Sequence, residues 1–219
     1  MSSIALKRIL MDISDYMKEP IENTYIYFDE SNMFELYLLI IGPDNTPYEN
    51  GFYFFQVKFP NDYPYKHPEV KYMTTMKGVR FNPNLYENGK VCLSILGTWS
   101  GPEWTSVMNL KSLILSLQSL LNEHPLRNEP GFDKEKVTSD RNIAYNDIIR
   151  YYNYGFSIIE MIKKCAVPQM QEIVDKHYKD NEKIYKCKLR ELQELEKPKT
   201  VKTIYGMHCL IDYKTLTLV

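Results

Sequence analysis

Cys92 stands in the run Asn88-Gly89-Lys90-Val91-Cys92-Leu93-Ser94-Ile95-Leu96, with Asn84 a short way before it. Near neutral pH a cysteine is already partly thiolate and strongly nucleophilic. Lys90 adds a nearby positive charge that favours the thiolate slightly. The histidines, His67, His124, His177 and His208, are scattered, and none lies close enough in sequence to announce a Cys–His protease pair. A thiol without a dedicated base suits exchange of thioesters, where no strong base is needed. The carboxamide of Asn84 has two available roles. It could donate to the oxyanion that develops when an amine attacks a thioester carbonyl. It could instead pin its own loop, as turn asparagines do, and spacing alone favours this second role. A cysteine without context is more often a small buried hydrophobe, so the elements around Cys92 carry the case.

Those elements are readable from periodicity. Residues 3–18 predict an amphipathic helix, with Leu6, Ile9, Leu10, Ile13 and Met17 on one face, Lys7 and Arg8 in water, Ser2 or Ser3 as cap and Pro20 as stop. Residues 25–28, 34–41, 51–59 and 70–73 are aromatic and branched, and turn signals separate them, so four strands in an antiparallel meander are expected. Residues 75–107 have little periodicity and hold Cys92, Trp99 and Trp104; so long a stretch without structure inside a domain is usually functional. Helical spacing returns at 108–123 through Leu110, Leu113, Ile114, Leu117, Leu120 and Leu121, and His124-Pro125 ends it. Two more helices are expected near 141–164 and 169–194, the second heavily charged and on the surface. The tail, 203–219, predicts one strand. The expected class is α+β: a four-stranded antiparallel meander flanked by helices on one side, with a C-terminal helical extension. The expected division is a core domain over 1–160 and an extension over 161–219, packed on the core through Ile159, Ile162 and the tail strand.

Composition narrows the function. The chain has 219 residues, 44% hydrophobic and 25% charged, with a formal net charge of −1. That balance suits a globular protein with a buried core, and it offers no strong basic field for nucleic acid or an anionic membrane. Cys92, Cys165, Cys187 and Cys209 are widely spaced, with no C-x-x-C pair and no compact Cys/His cluster, so neither a disulfide framework nor a metal site is expected. No apolar stretch of signal length precedes Asp12, Asp15 and Glu19, and the longest apolar run, 36–41, is too short to span a bilayer. An intracellular setting is expected, cytoplasmic with the nucleus open.

An ordered set of motifs then resembles the ubiquitin-conjugating enzymes. Gly42-Pro43 with Tyr48-Glu49-Asn50-Gly51 resembles their turn between the second and third strands. Phe59-Pro60-Asn61-Asp62-Tyr63-Pro64-Tyr65-Lys66-His67-Pro68 resembles their proline-rich loop, and Asn82-Pro83-Asn84 before Gly89-Lys90-Val91-Cys92-Leu93 resembles the His-Pro-Asn motif and catalytic cysteine. Trp104 matches the tryptophan after the active site, displaced by an insertion that includes Trp99. Glu129-Pro130 resembles the acidic gate beside the cysteine. The set covers about residues 3–160. A finer resemblance, through Phe81-Asn82-Pro83-Asn84-Leu85-Tyr86, the run from Lys90 to Trp99, and Asn128-Glu129-Pro130-Gly131-Phe132, is to the Z-type of the family.

The resemblance implies a UBC-like fold. It implies that Cys92 takes ubiquitin, or a ubiquitin-like modifier, from an activating enzyme as a thioester. The modifier then passes to a substrate lysine or to a ligase cysteine, with RING- or HECT-type ligases as partners. No cofactor is bound directly; ATP is used by the activating enzyme. Asn84 would stabilise the oxyanion or its loop, and Glu129 would position or desolvate the incoming lysine. Lys7 and Arg8 match basic positions that meet the activating enzyme. Tyr65 and Ser106 fall where a ligase docks, although Thr105-Ser106-Val107 replaces the usual Ser-Pro-Ala, and losing that proline changes loop stiffness. Asn82 replaces the usual histidine, as in the Z-type, and Ser94 replaces an aspartate near the thiol. Three rivals exist: a non-covalent binding module on the same fold, which would lack the cysteine; a structural domain with a buried Cys92; and a cysteine hydrolase, which needs a histidine beside the thiol.

Overall fold

The run IALKRILMDISDYMK winds into α1, Ile4–Lys18, in a computed structural model that describes residues 4–218. The proposed caps Ser2 and Ser3 and the last tail residue lie outside the described residues. The buried face of α1 is Ala5, Ile9, Asp12, Ile13 and Tyr16. This rotates the expected stripe: Leu10 and Met17 are exposed at 45% and 59%, while two residues with polar groups take inner positions. Arg8 also leaves the water. Its side chain is only 17% exposed and is bonded to Asp12. Lys7 stays exposed.

Four strands follow as the expected meander: β1 Thr24–Phe28, β2 Glu35–Ile41, β3 Phe52–Lys58 and β4 Glu69–Tyr72, each antiparallel to the next. The register aligns Tyr25 with Leu39, and Leu39 with Phe54. Alternation then puts Tyr25, Leu39, Phe52 and Phe54 on one face and Leu38, Ile40, Tyr53 and Phe55 on the other. Phe52 to Phe55 are all fully buried, so both faces of the sheet are covered.

Two glycines make the turn between β2 and β3 possible. A Cβ on Gly42 would fall 1.7 Å from the Tyr48 carbonyl oxygen, and one on Gly51 would fall 1.9 Å from Asn153 Oδ1. Any side chain there would displace backbone or a buried amide.

After the long loop comes α2, Leu110–Gln118, shorter than the 108–123 expected. Asn109 caps it, accepting from Ser112 N, and the Ser112 side chain returns to the Asn109 N–H as a capping box. Leu120 and Leu121 lie beyond its end and are still buried. Next is α3, Asp140–Tyr152, begun by the cap Ser139. It runs on as a π-helical stretch, Asn153–Glu160, and a last turn, Met161–Lys163. The wider coil was not foreseen by the 3.6-residue period. It turns Asn153 inward, where Oδ1 accepts from the Tyr53 hydroxyl at 2.7 Å and Nδ2 donates to Glu49 O at 2.9 Å.

The extension continues this core. The long helix α4, Gln171–Leu195, buries Val174, Tyr185 and Leu189. The Tyr185 ring stacks on Phe52 at 6.2 Å, and its hydroxyl donates to Asn50 O at 2.9 Å. Helices therefore lie on both faces of the sheet, not on one: the π-helical stretch meets the face of Tyr53, and α4 covers the face of Phe52. The expected tail strand is β6, His208–Ile211, but it pairs with a second strand, β5, Lys199–Lys202, as a hairpin. Ile159 and Ile211 are buried and Ile162 is packed against the core.

Candidate active site

Pro83 sits in a turn closed by Leu85 N donating to Asn82 O at 2.9 Å, and the asparagines on either side of it hold that turn. Asn82 is fully buried. Its Nδ2 donates to the Tyr48 hydroxyl at 2.9 Å and to Leu120 O at 2.7 Å, and its Oδ1 accepts from Asn84 N at 2.9 Å. A carboxamide can satisfy this mixture of donors and acceptors in one orientation, so the residue in the usual histidine slot is the hub of the turn. Tyr48 passes the connection on to Phe81 O at 2.7 Å, and burial pushes its hydroxyl pKa well up.

Asn84 and Cys92 face each other across this turn. Cys92 N donates to Asn84 O at 2.9 Å, and Asn84 Nδ2 donates to Cys92 O at 2.8 Å. The amide therefore grips the backbone of the cysteine itself, the loop-pinning geometry of the two considered from sequence. Replacing Asn84 by Ala orphans a buried carbonyl, at a cost of about 1–3 kcal/mol. A thermal melt of Asn84→Ala should fall by several degrees; a superimposable melt would show that the bond holds nothing.

A second brace comes from the insertion. Thr98 Oγ1 donates to Val91 O at 2.8 Å and accepts from Leu93 N at 2.9 Å, so it grips the chain on both sides of Cys92. Nothing in the local sequence marks this threonine apart. Cys92 is 2% exposed, while Cys187 is exposed. Lys90 is exposed, and its Nζ lies 5.5 Å from the centre of the Tyr86 ring.

None of the histidines hydrogen-bonds to Cys92 among the described residues. His67 Nδ1 meets Pro68 O, His124 Nδ1 meets Asn142 Nδ2, and His177 packs edge-on against Phe52. A hydrolase-type pair is therefore not built. No group of three or more His, Cys, Asp or Glu is placed to hold a metal ion among the described residues.

Glu129 lies in the loop after α2. Its neighbour Asn128 donates to Leu120 O at 3.3 Å and approaches Asn82 Oδ1 at 3.5 Å, which ties this loop to the Asn82–Asn84 turn. Glu129 Oε2 accepts a hydrogen bond from the hydroxyl of Tyr205, in the extension. Sequence gave no hint of that contact across 76 residues.

The proline-rich loop and the segment after the insertion are joined to each other. Trp104 Nε1 donates to Pro64 O at 2.7 Å, which joins the proline-rich loop to the loop after the insertion. Tyr65 is 74% exposed, Val107 is 83% exposed, and Ser106 is exposed. Arg8 donates to Ser106 O at 3.0 Å and Met108 O at 2.6 Å. These bonds hold the segment from its underside, and so supply stiffness where a proline is missing.

The chain is thus an α+β domain in which a four-stranded meander carries a buried cysteine pinned to Asn84 by a crossed pair of hydrogen bonds. The model of the family "Ubiquitin-conjugating enzyme" matches residues 8–152. "Ubiquitin-conjugating enzyme E2 Z" of Xenopus tropicalis is 42% identical over 194 residues, 86% of this chain and 62% of that protein. The Homo sapiens protein of the same name is 42% identical over 190 residues, 84% of this chain and 53% of that protein. "Dual E2 ubiquitin-conjugating enzyme/E3 ubiquitin-protein ligase BIRC6" of Homo sapiens is 39% identical over 165 residues, 71% of this chain and 3% of that protein. The chain belongs to the ubiquitin-conjugating enzyme family. It spans between about half and three-fifths of the length of the E2 Z relatives. No helix is long and apolar enough to cross a membrane among the described residues.

Proposed function

We propose that this chain carries ubiquitin, or a ubiquitin-like modifier, as a thioester on Cys92. The Cys92 thiolate attacks the carbonyl of the modifier's C-terminal thioester on an activating enzyme, and the activating enzyme's thiolate leaves. In the second step a substrate lysine amine attacks the Cys92 thioester, the Cys92 thiolate leaves and the amine gives up its proton. A ligase cysteine can take the place of the lysine. No cofactor is needed on this chain, because ATP is consumed by the activating enzyme. Residues 1–160 act as the conjugating core and 161–219 as its extension, in an intracellular setting, cytoplasmic or nuclear.

The observation that carries the reading is the crossed pair of Asn84–Cys92 bonds, in a chain of this family. It fixes the cysteine backbone so that a thioester on Sγ keeps one position while an amine approaches, and positioning is a large part of such catalysis. Asn84 serves as loop stabiliser, and Glu129 as the acidic gate for the lysine. Lys7 presents a free ammonium to the activating enzyme, with Arg8 beside it. Tyr65 and Ser106, with Val107, form the edge that a RING- or HECT-type ligase meets.

The test is a loading reaction with ubiquitin, ATP and an activating enzyme, resolved on gels with and without reductant. The intact chain should gain a reducible band heavier by one modifier. Cys92→Ala should lose it entirely, and Cys92→Ser should form an ester band that reductant does not cleave. If neither the general nor a specialised activating enzyme loads the chain with any modifier, Cys92 is a structural thiol on this fold.

A further inference from the structure

The tip of the C-terminal hairpin makes a turn that a tyrosine does not adopt by preference. Tyr205 has φ +60° and ψ +18°, the left-handed region that bulky side chains avoid. The surroundings hold it there. Thr203 N donates to Met207 O at 2.9 Å, closing the hairpin. Met207 is buried at 3%, and its Sδ accepts from Arg80 N at 3.2 Å. Strained backbone that the surrounding structure enforces is a pointer to a working side chain.

The Tyr205 side chain meets two charges. Its ring lies 4.1 Å from the Arg80 guanidinium, which the Tyr86 ring covers on another side at 3.6 Å. Arg80 is fixed in turn: its Nη2 donates to Pro83 O at 2.5 Å, and its carbonyl accepts from the Tyr145 hydroxyl at 2.8 Å. The Tyr205 hydroxyl donates to Glu129 Oε2. Burial first, and then this bond to a carboxylate, push the Tyr205 pKa up, so the hydroxyl keeps its proton and remains a donor. Glu129 Oε1 takes no hydrogen bond among the described residues. One carboxylate oxygen of the half-buried Glu129 is anchored, and the other has no protein partner among the described residues.

We propose that Tyr205 is a positioning residue for the transfer step: the extension reaches back over the Arg80–Pro83 segment and fixes the carboxylate of Glu129 for the acceptor lysine. The proposal rests on the reading of Glu129 as the acidic gate. An untethered glutamate has three rotatable side-chain bonds, and an acceptor amine must order them on binding. Tyr205 orders them beforehand, which raises the effective presence of the gate without touching the lysine. The contact also gives the extension a part in the chemistry of a site that lies wholly in the core domain.

The test is single-turnover discharge of the preformed Cys92 thioester to free lysine over a range of lysine concentrations. Wild type, Tyr205→Phe, Glu129→Gln and the double variant are compared. Tyr205→Phe retains the ring on Arg80 and should load and melt as wild type does. Its half-saturating lysine concentration should rise by about two- to fivefold, the net worth of a hydrogen bond at an exposed site. Glu129→Gln should show at least that loss, and the double variant should be no worse than Glu129→Gln, because Tyr205 acts only through the carboxylate. A loss in Tyr205→Phe that multiplies with that of Glu129→Gln would overturn the proposal. So would a wild-type lysine dependence in Tyr205→Phe beside a defective Glu129→Gln, and this outcome leaves the gate reading standing. Wild-type discharge by Glu129→Gln itself would remove the gate reading and the proposal together.

Discussion

Deleting residues 165–219 is expected to lower the melting temperature by on the order of 10 °C or more. The extension is not an appendage. Cys165, Val167, Met170, Val174, Tyr185, Leu189, Met207, Ile211 and Tyr213 are buried, in one cluster with the core. Their removal uncovers the face of the sheet that holds Phe52 and Phe54, whose burial contributes about 1.5–3 kcal/mol per large side chain. It also orphans the Asn50 carbonyl that accepts from Tyr185. Ordering the extension costs entropy, but deletion leaves the exposed apolar surface on the core, and that loss exceeds a large part of the 5–15 kcal/mol typical of a domain. Thermal melts of the full chain and of residues 1–164 decide the matter. If truncation prevents folding altogether, Tyr185→Ala in the full chain serves instead, with an expected loss of about 3–5 kcal/mol by analogy with other large aromatic truncations. An unchanged melting curve in either variant would show that α4 merely lies on the sheet.

The reach of the sequence can be judged from single elements. The meander was legible because each strand is short, branched or aromatic, and bounded by turn residues that permit little else. The pairing of Asn84 with Cys92 was legible as a turn asparagine a short way before a cysteine. The inner face of α1 was not. Hydrophobicity favours Leu10 and Met17, yet Asp12 and Tyr16 turn inward because partners wait there: Thr24 for the Tyr16 hydroxyl at 2.9 Å, and Arg8, Tyr63 and Leu110 N for Asp12. A polar side chain with a buried partner obeys satisfaction, not hydropathy. The strand Lys199–Lys202 was missed for a related reason: KTVK has one apolar residue and reads as a charged linker, while Lys199 pairs with Asp147 at 2.8 Å. α4 reads as a surface helix because three buried residues in twenty-five carry its contact with the sheet. Tyr205 is the extreme case, since its meaning lies wholly in residues far away in the chain.

Arg8→Ala is expected to cost about 3–5 kcal/mol, the usual result of leaving one member of a buried ion pair alone. Asp12 is the reason. Its side chain is 2% exposed, and Oδ1 meets Arg8 Nε at 2.8 Å. Oδ2 accepts from the Tyr63 hydroxyl and from Leu110 N at 3.2 Å. Without the guanidinium a carboxylate that is 2% exposed is left facing two neutral donors, with no opposite charge beside it. Arg8→Lys should recover only part of the loss, since one ammonium cannot match the planar fork that also reaches Ser106 O and Met108 O. Lys7 provides the contrast: it is exposed on the same helix, and Lys7→Ala should stay within about 0.5 kcal/mol of the parent. Denaturant unfolding of the three variants reads all of this. A loss of under about 1 kcal/mol in Arg8→Ala would mean that Asp12 is sustained by Tyr63 and Leu110 alone. The comparison also tests the two roles proposed for this basic pair. Lys7→Ala, structurally silent, should weaken only loading by the activating enzyme. Arg8→Ala, assayed where it remains folded, should in addition weaken ligase-stimulated discharge, because the Ser106–Met108 segment loses the side chain that holds it from below.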